Sequence, residues 1–170
     1  MNRRSDGATG RGACILADMP PHIRPATSED LPSIIQLLAD DDLGRSREDP
    51  RTPLDPRYLA AFAAIERDPN QQLVVAELDG RVVGCLQLTL IPGLSRLGMW
   101  RGQIESVRVA SSERGHGIGR LMFEWAIGEC RERGCGLVQL TTDKTRTGAH
   151  AFYEELGFEA SHEGMKRKLD

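Results

Sequence analysis

The stretch from Gln103 to Ala126 constrains this chain more than any other, because its hydrophobic period changes in mid-course. Residues 103–109 alternate, which places Glu105, Val107 and Val109 on one face of a strand and Ile104, Ser106 and Arg108 on the other. From Ile118 onward the spacing is helical, with Leu121, Met122, Trp125 and Ala126 continuing one stripe. Between the two lies Arg114-Gly-His-Gly-Ile-Gly119, with glycine at three alternate positions. Glycine lets backbone N–H groups approach a ligand closely, and a helix start offers unpaired donors and a partial positive charge. The expected guest is an anion, most plausibly a phosphate.

The rest of the chain narrows the class. Its 170 residues are enough for one domain with a substantial core. A net charge of −3, from 22 basic and 25 acidic residues, gives no electrostatic footprint for nucleic acid and no basic run for a membrane surface. No apolar segment approaches the ~20 residues that span a bilayer. Cys14, Cys85, Cys130 and Cys135 lack CxxC spacing and form no zinc set with the four histidines. They read as reduced thiols of a cytoplasmic protein, with Cys130 packed on the stripe of the central helix. No metal site is expected.

Residues 1–21 lack periodicity and read as a disordered extension, with Met19 an alternative start; residues 22–170 form the domain. A short extended piece from Ile23 leads to Thr27-Ser-Glu-Asp30, a helix-start signature, and to the stripe Leu31, Ile34, Ile35 and Leu38. Asp55-Pro56 starts a second helix, whose buried face is Tyr58, Phe62 and Ile65. Segments 73–78 and 81–91 flank Asp79-Gly80, a strong hairpin signal. A loop at 92–98 precedes the central strand. Arg133-Gly134 ends the central helix, and 137–142 is a further strand, expected parallel to the central one across the intervening helix. Thr147 is placed as the cap of a last helix stopped by Gly157, with Phe152, Tyr153 and Leu156 on one face. Residues 158–169 are expected to give one or two closing strands. The fold class is α/β: a mixed, mostly antiparallel twisted sheet flanked by helices, with a βαβ core.

Which anion it takes depends on the pattern of the turn. Position 120 is Arg, so the dinucleotide fingerprint G-x-G-x-x-G fails, and no Gly-Lys-Ser/Thr follows as a P-loop needs. Arg-x-x-Gly-x-Gly, from Arg114 to Gly119, resembles the pyrophosphate signature of the GCN5-related N-acetyltransferase (GNAT) superfamily. Ala149-His-Ala-Phe-Tyr-Glu-Glu-Leu-Gly-Phe158 resembles a second conserved segment of that superfamily, and the likeness spans about residues 23–169. The tail from Thr142 to His162 also has a local likeness to aminoalkylphosphonate N-acetyltransferases.

The resemblance implies acetyl-CoA as co-substrate and a primary amine on a small molecule as acceptor. It also implies that the backbone of Val107, Arg108 and Val109 receives the pantetheine arm. The amides of Arg114, Gly115, His116, Gly117, Ile118, Gly119 and Arg120 would wrap the pyrophosphate, and Tyr153 would meet the coenzyme sulfur. Arg146 departs from the asparagine frequent in the family. A homodimer is compatible with such a fold.

Acetyl transfer needs a base for the amine, a stabilised oxyanion and a proton for the departing thiolate. Glu105 is the candidate base, since a carboxylate sharing the apolar face of Val107 and Val109 would be desolvated; the alternative is an edge glutamate in a salt bridge. Tyr153 is the candidate acid, with core packing as its alternative. A backbone N–H near Val107 suits the oxyanion. His116 acts best through its amide, and His150 reads as solvated or substrate-facing. Asp40-Asp-Asp42 is either a solvated helix end or a binder of a cationic amine, and Trp100 either lines the acceptor site or caps the sheet. No Ser-His or Cys-His pair is evident, which favours direct attack in a ternary complex. Two other readings remain: a non-catalytic acyl-CoA-binding regulatory module, and an acetyltransferase acting on protein amines.

Overall fold

The computed structural model describes residues 20–40 and 44–169. The extension up to Met19, and Asp41 and Asp42, lie outside that range. The elements run β1 (His22–Pro25), α1 (Leu31–Ala39), α2 (Pro56–Arg67), β2 (Gln71–Leu78), β3 (Arg81–Ile91), a single turn α3 (Ser95–Gly98), β4 (Arg101–Val109), α4 (Ile118–Glu132), β5 (Leu137–Leu140) and α5 (Thr147–Glu155). One sheet holds the strands in the order β1-β2-β3-β4-β5. All neighbours are antiparallel except β4 and β5, the parallel pair that α4 connects. A mixed α/β sheet of this kind is what the sequence led us to expect.

Local signals account for most element ends. Asp79 (φ 50) and Gly80 (φ 72) both have positive φ, as a two-residue hairpin turn matching the strand twist requires. Asp55 caps α2 by accepting from the Arg57 N–H at 2.9 Å, and Pro56 follows at the first helical position. After α5, Gly157 turns left-handed (φ 85); Phe158 N–H reaches Tyr153 O at 3.0 Å and Gly157 N–H reaches Glu154 O at 2.9 Å, a Schellman stop. Gly134 ends α4 in the same way, with Cys135 N–H on Cys130 O at 2.8 Å. At the start of α5, Arg146 rather than Thr147 holds the N-cap position.

The core lies between the sheet and α4. Leu86, Leu88, Leu90 and Ile104 pack on Met122, Phe123, Ala126 and Cys130, with Phe152, Tyr153 and Phe158 closing one side. The other face of the sheet carries a smaller cluster, where Val75 and Cys85 meet Ile34 and Leu37 of α1. On α1 the buried position is Leu37 rather than Leu38. Burial pushes the Cys85 thiol up to about 12.

Residues 158–169 form no strand. Their apolar members are sparse, and Met165 and Leu169 stand 94% and 89% exposed, so pairing against the sheet would bury too little to order them. Likewise β5 stops at Leu140, two residues short of the expected end.

One polar network ties the first elements together. Asp30 accepts from Arg24 Nη1 (2.7 Å) and Nη2 (2.8 Å), from Thr27 N–H (2.7 Å) and from Thr27 Oγ1 (3.0 Å), while Arg24 Nε reaches Glu77 on β2 at 2.6 Å. The Arg24 guanidinium, with Thr27, holds the Asp30 carboxyl down from 3.8 to about 2. Its contribution is therefore complete above pH ~4 and is lost as the pH falls through the folded value, a span worth about 2 kcal/mol. Asp30→Asn should lose about that much at pH 7 in denaturant melts. Its stability should also be flatter than wild type between pH 4 and 2.

Candidate active site

The glycine turn folds as its sequence demands. Gly115 (φ 84) and Gly117 (φ 82) occupy the left-handed region, and a Cβ built on either would meet nothing within 4 Å. Backbone conformation, not crowding, requires glycine there. The space beside them is a cleft of about 320 Å³ lined by Arg114, Gly115, Gly117, Gly119, Arg120 and Phe152, among others. Gly117 is the N-cap of α4, and Leu121 N–H is bonded back to its carbonyl at 3.0 Å. The N–H groups of Ile118, Gly119 and Arg120 come before that first helical bond and face the cleft end of the helix dipole. At Gly119 a Cβ would lie 3.7 Å from Phe152 and 3.9 Å from Val109, which form the floor.

The long side chains of the signature are engaged in structure. Arg114 Nε donates to Val109 O at 3.2 Å, and its Nη2 donates to Asp40 O at 3.0 Å. Asp40 also accepts from Ser111 N–H at 3.3 Å, so it clamps the end of α1 to the exit of β4. That contact gives Asp40 a structural task at a partly exposed helix end. Arg120 pairs with Glu155 of α5 at 3.0 Å. His116 is exposed. This arrangement leaves the turn's backbone amides to meet an anion.

The strand leading to the turn departs from simple alternation. Gln87 pairs with Glu105 but Cys85 pairs with Arg108, so Ser106 and Val107 together face the single residue Leu86. Ser106 takes φ 54, and the extra residue makes a β-bulge. Past the bulge the faces swap: Val107 and Val109 pack with Ile104 on the α4 side. Glu105 stands on the opposite face and is exposed, so the shared apolar face and the desolvation expected for it are not found. The signal was in the sequence, since Ile104, Val107 and Val109 can share one face only if a residue is bulged between them. Nor does Glu105 make a salt bridge: among the described residues it has no hydrogen-bond or ionic partner.

The bulge sits where β4 and β5 part. Their pairing ends at Ile104↔Leu140, so from Glu105 to Val109 that edge of β4 has no strand neighbour among the described residues. An open edge can take an extended ligand as an added strand. Val107 O accepts from Arg108 Nη1 at 2.8 Å and Val109 O from Arg114 Nε, and each carbonyl keeps a second lone pair. Tyr153 lies on the α4 side, 5.5 Å from the Phe123 ring and 5.6 Å from Phe152. Glu105 and Tyr153 thus belong to opposite sides of the sheet, with the parting of β4 and β5 as the passage between. Around this opening, Asp143 accepts from Thr145 and His150 Nε2 lies 3.4 Å from Asp143 O; Trp100, 37% exposed, stands at the other end of the strand pair, where its carbonyl accepts from Gly136 N–H at 2.8 Å. Phe152 as a cleft wall was not singled out beforehand, although its place on the apolar stripe beside Tyr153 was visible. The described residues hold no group of three or more metal-ligating side chains, and no helix among them is long and apolar enough to cross a membrane.

Comparison with known proteins agrees with this geometry. Residues 32–158 match the acetyltransferase (GNAT) family. An aminoalkylphosphonate N-acetyltransferase from Salmonella typhimurium is 34% identical over 140 residues, 82% of this chain and 86% of that protein. A glucosamine 6-phosphate N-acetyltransferase from Trypanosoma brucei brucei is 32% identical over 149 residues, 86% of this chain and 95% of that one. A crystal structure described as a transcriptional regulator from Bacillus halodurans superposes with a TM-score of 0.86 at 49% identity, covering 88% of this chain and all of the other. A left-handed glycine turn at a helix start, a parted parallel strand pair and these relatives lead to one conclusion: the chain belongs to the GNAT family of acetyl-CoA-dependent N-acetyltransferases.

Proposed function

We propose that this protein transfers the acetyl group of acetyl-CoA to the primary amine of a small molecule by direct attack in a ternary complex. The observation that carries the reading is the cleft at the start of α4, continuous in sequence with the open edge of β4. The turn from Arg114 to Arg120 holds the pyrophosphate through its amides, and the edge from Val107 to Val109 holds the pantetheine arm. The thioester then lies in the parting between β4 and β5. Glu105 takes a proton from the amine on one side, and Tyr153 gives one to the departing thiolate on the other. A phenol of pKa ~10 is a fitting donor to a thiolate whose acid is near 8.5.

Both curated relatives named above act, by name, on small amines that carry a phosphonate or phosphate group. An acceptor of that class is our first choice here. Thiol release from acetyl-CoA should be measured across aminoalkylphosphonates, amino-sugar phosphates, polyamines, amino acids, aminoglycosides and lysine peptides. Saturable turnover with a small amine is the expected result; turnover with peptides alone would overturn the small-molecule reading. The name of the 49%-identical structure favours a second reading, a non-catalytic regulatory module that binds acyl-CoA. Saturable coenzyme binding without turnover of any amine would favour that alternative. If Tyr153 is the acid, Tyr153→Phe should lower kcat about 10-fold or more while leaving the Kd for acetyl-CoA within twofold.

A further inference from the structure

The sheet face turned away from α4 changes character along its length. Beside α1 it is apolar, but beyond Cys85 it becomes a polar row on three adjacent strands. Gln71 pairs with Thr89, Thr89 with Gln103, and Gln87 with Glu105. These side chains are not arranged at random. Gln71 Oε1 accepts from Gln87 Nε2 at 3.0 Å and from Thr89 Oγ1 at 2.9 Å. With its N–H₂ so held, the planar Gln87 carboxamide has its orientation fixed and its Oε1 turned away from Gln71. Among the described residues, neither that oxygen nor the Glu105 carboxylate receives a hydrogen bond. Cross-strand neighbours stand about 5 Å apart at Cβ. Two acceptors without donors therefore sit side by side on β3 and β4, and Glu105 is the first residue past the point where β4 and β5 part.

We propose that Gln87 is an acceptor-positioning residue, which with Glu105 receives the two N–H bonds of a neutral primary amine. The inference rests on the acetyltransferase reading above and adds a specificity determinant to it. With one N–H on Gln87 Oε1 and the other on Glu105, the amine's lone pair is left to face the thioester carbon. The C–N bond forms, Glu105 takes one proton, and the C–S bond breaks with the sulfur protonated by Tyr153. The second N–H stays on Gln87 throughout. A neutral secondary amine has a single N–H, so it can satisfy Glu105 and must leave Gln87 unpaired. Gln87 thus selects primary over N-methylated amines, because an unmade hydrogen bond at a site built for it is costly.

The test compares kcat/KM for aminomethylphosphonate, or the primary amine that turns over fastest in the thiol-release screen, with that for its N-methyl derivative. Gln87→Met keeps the length of the side chain and removes the acceptor. The primary-to-N-methyl ratio should fall about 10-fold in this variant, mainly through loss on the primary amine. The Kd for acetyl-CoA should stay within twofold. Gln139→Leu, which breaks the Gln139–Gln103 bond (2.7 Å) elsewhere on the same face, should leave the ratio unchanged. An unchanged ratio in Gln87→Met, or an equal fall in both variants, overturns the role of Gln87 while wild-type turnover keeps the enzyme reading intact. Should Gln87→Met not fold, Gln87→Asn withdraws the carbonyl by one methylene and must show the same fall. A screen in which no amine turns over removes the acetyltransferase reading, and this inference with it.

Discussion

Glu105→Gln is expected to lower kcat for amine-dependent thiol release by about 100-fold or more at pH 7, the scale of a lost general base. The side chain keeps its shape and its hydrogen-bonding reach, so the variant removes the proton acceptor and little else. Its exposure and its lack of partners among the described residues make a folding defect unexpected. The pH dependence carries the diagnosis. An alkylamine is mostly protonated at pH 7, with a pKa near that of lysine, ~10.4. As the pH rises toward 9, more amine arrives already neutral, and the one proton it sheds as the C–N bond forms passes increasingly to hydroxide in place of Glu105. The gap between wild type and variant should therefore narrow with rising pH. A constant gap would point to orientation in place of proton transfer, and no gap at any pH would remove Glu105 from the mechanism.

Gly117→Val should weaken acetyl-CoA binding roughly 100-fold, as read by calorimetry. Gly117 has φ 82, which costs a β-branched residue more than any other class. The turn must then give up the left-handed step that brings the amides of Ile118, Gly119 and Arg120 to bear on one point. No compensation comes from packing, since a Cβ there faces open space. The strain reaches α4 as well, because Gly117 is its N-cap, so a Tm loss of a few degrees should accompany the weaker binding. Binding within threefold of wild type would mean that the pyrophosphate sits elsewhere. Gly128→Ala serves as the control: that glycine is within α4, has no positive φ and has space for a methyl group. It should bind normally and melt slightly higher.

Several elements follow from neighbours in the chain alone. The Asp79-Gly80 turn, the Asp55-Pro56 start, the glycine stops at 134 and 157 and the left-handed glycine turn at 114–119 each depend on conformations that a few adjacent residues dictate. The core stripe of α4 is equally local, because a helical period is a property of one segment. Only one of the local signals was misplaced in a way that matters. Strict alternation over 103–109 put Glu105 with Val107 and Val109, and the bulge at Ser106 separates them.

That bulge is tertiary in origin. It forms because Ile104, Val107 and Val109 can all reach the core under α4 only if one residue is left out of register, and burial of three apolar side chains outweighs one interrupted ladder step. The same event turns Glu105 toward the polar row that contains Gln87, a neighbour 18 positions away in sequence. The closing strands failed for a related reason, since extended propensity at 158–169 meets no surface that would bury it. By itself the sequence determined the left-handed glycine turn and the order of the main elements from β1 to α5, because backbone conformation and hydrophobic period are written locally. Which carboxylate faces which amide, and where β4 parts from β5, was decided only when the strands paired, because pairing register depends on what the whole sheet can bury.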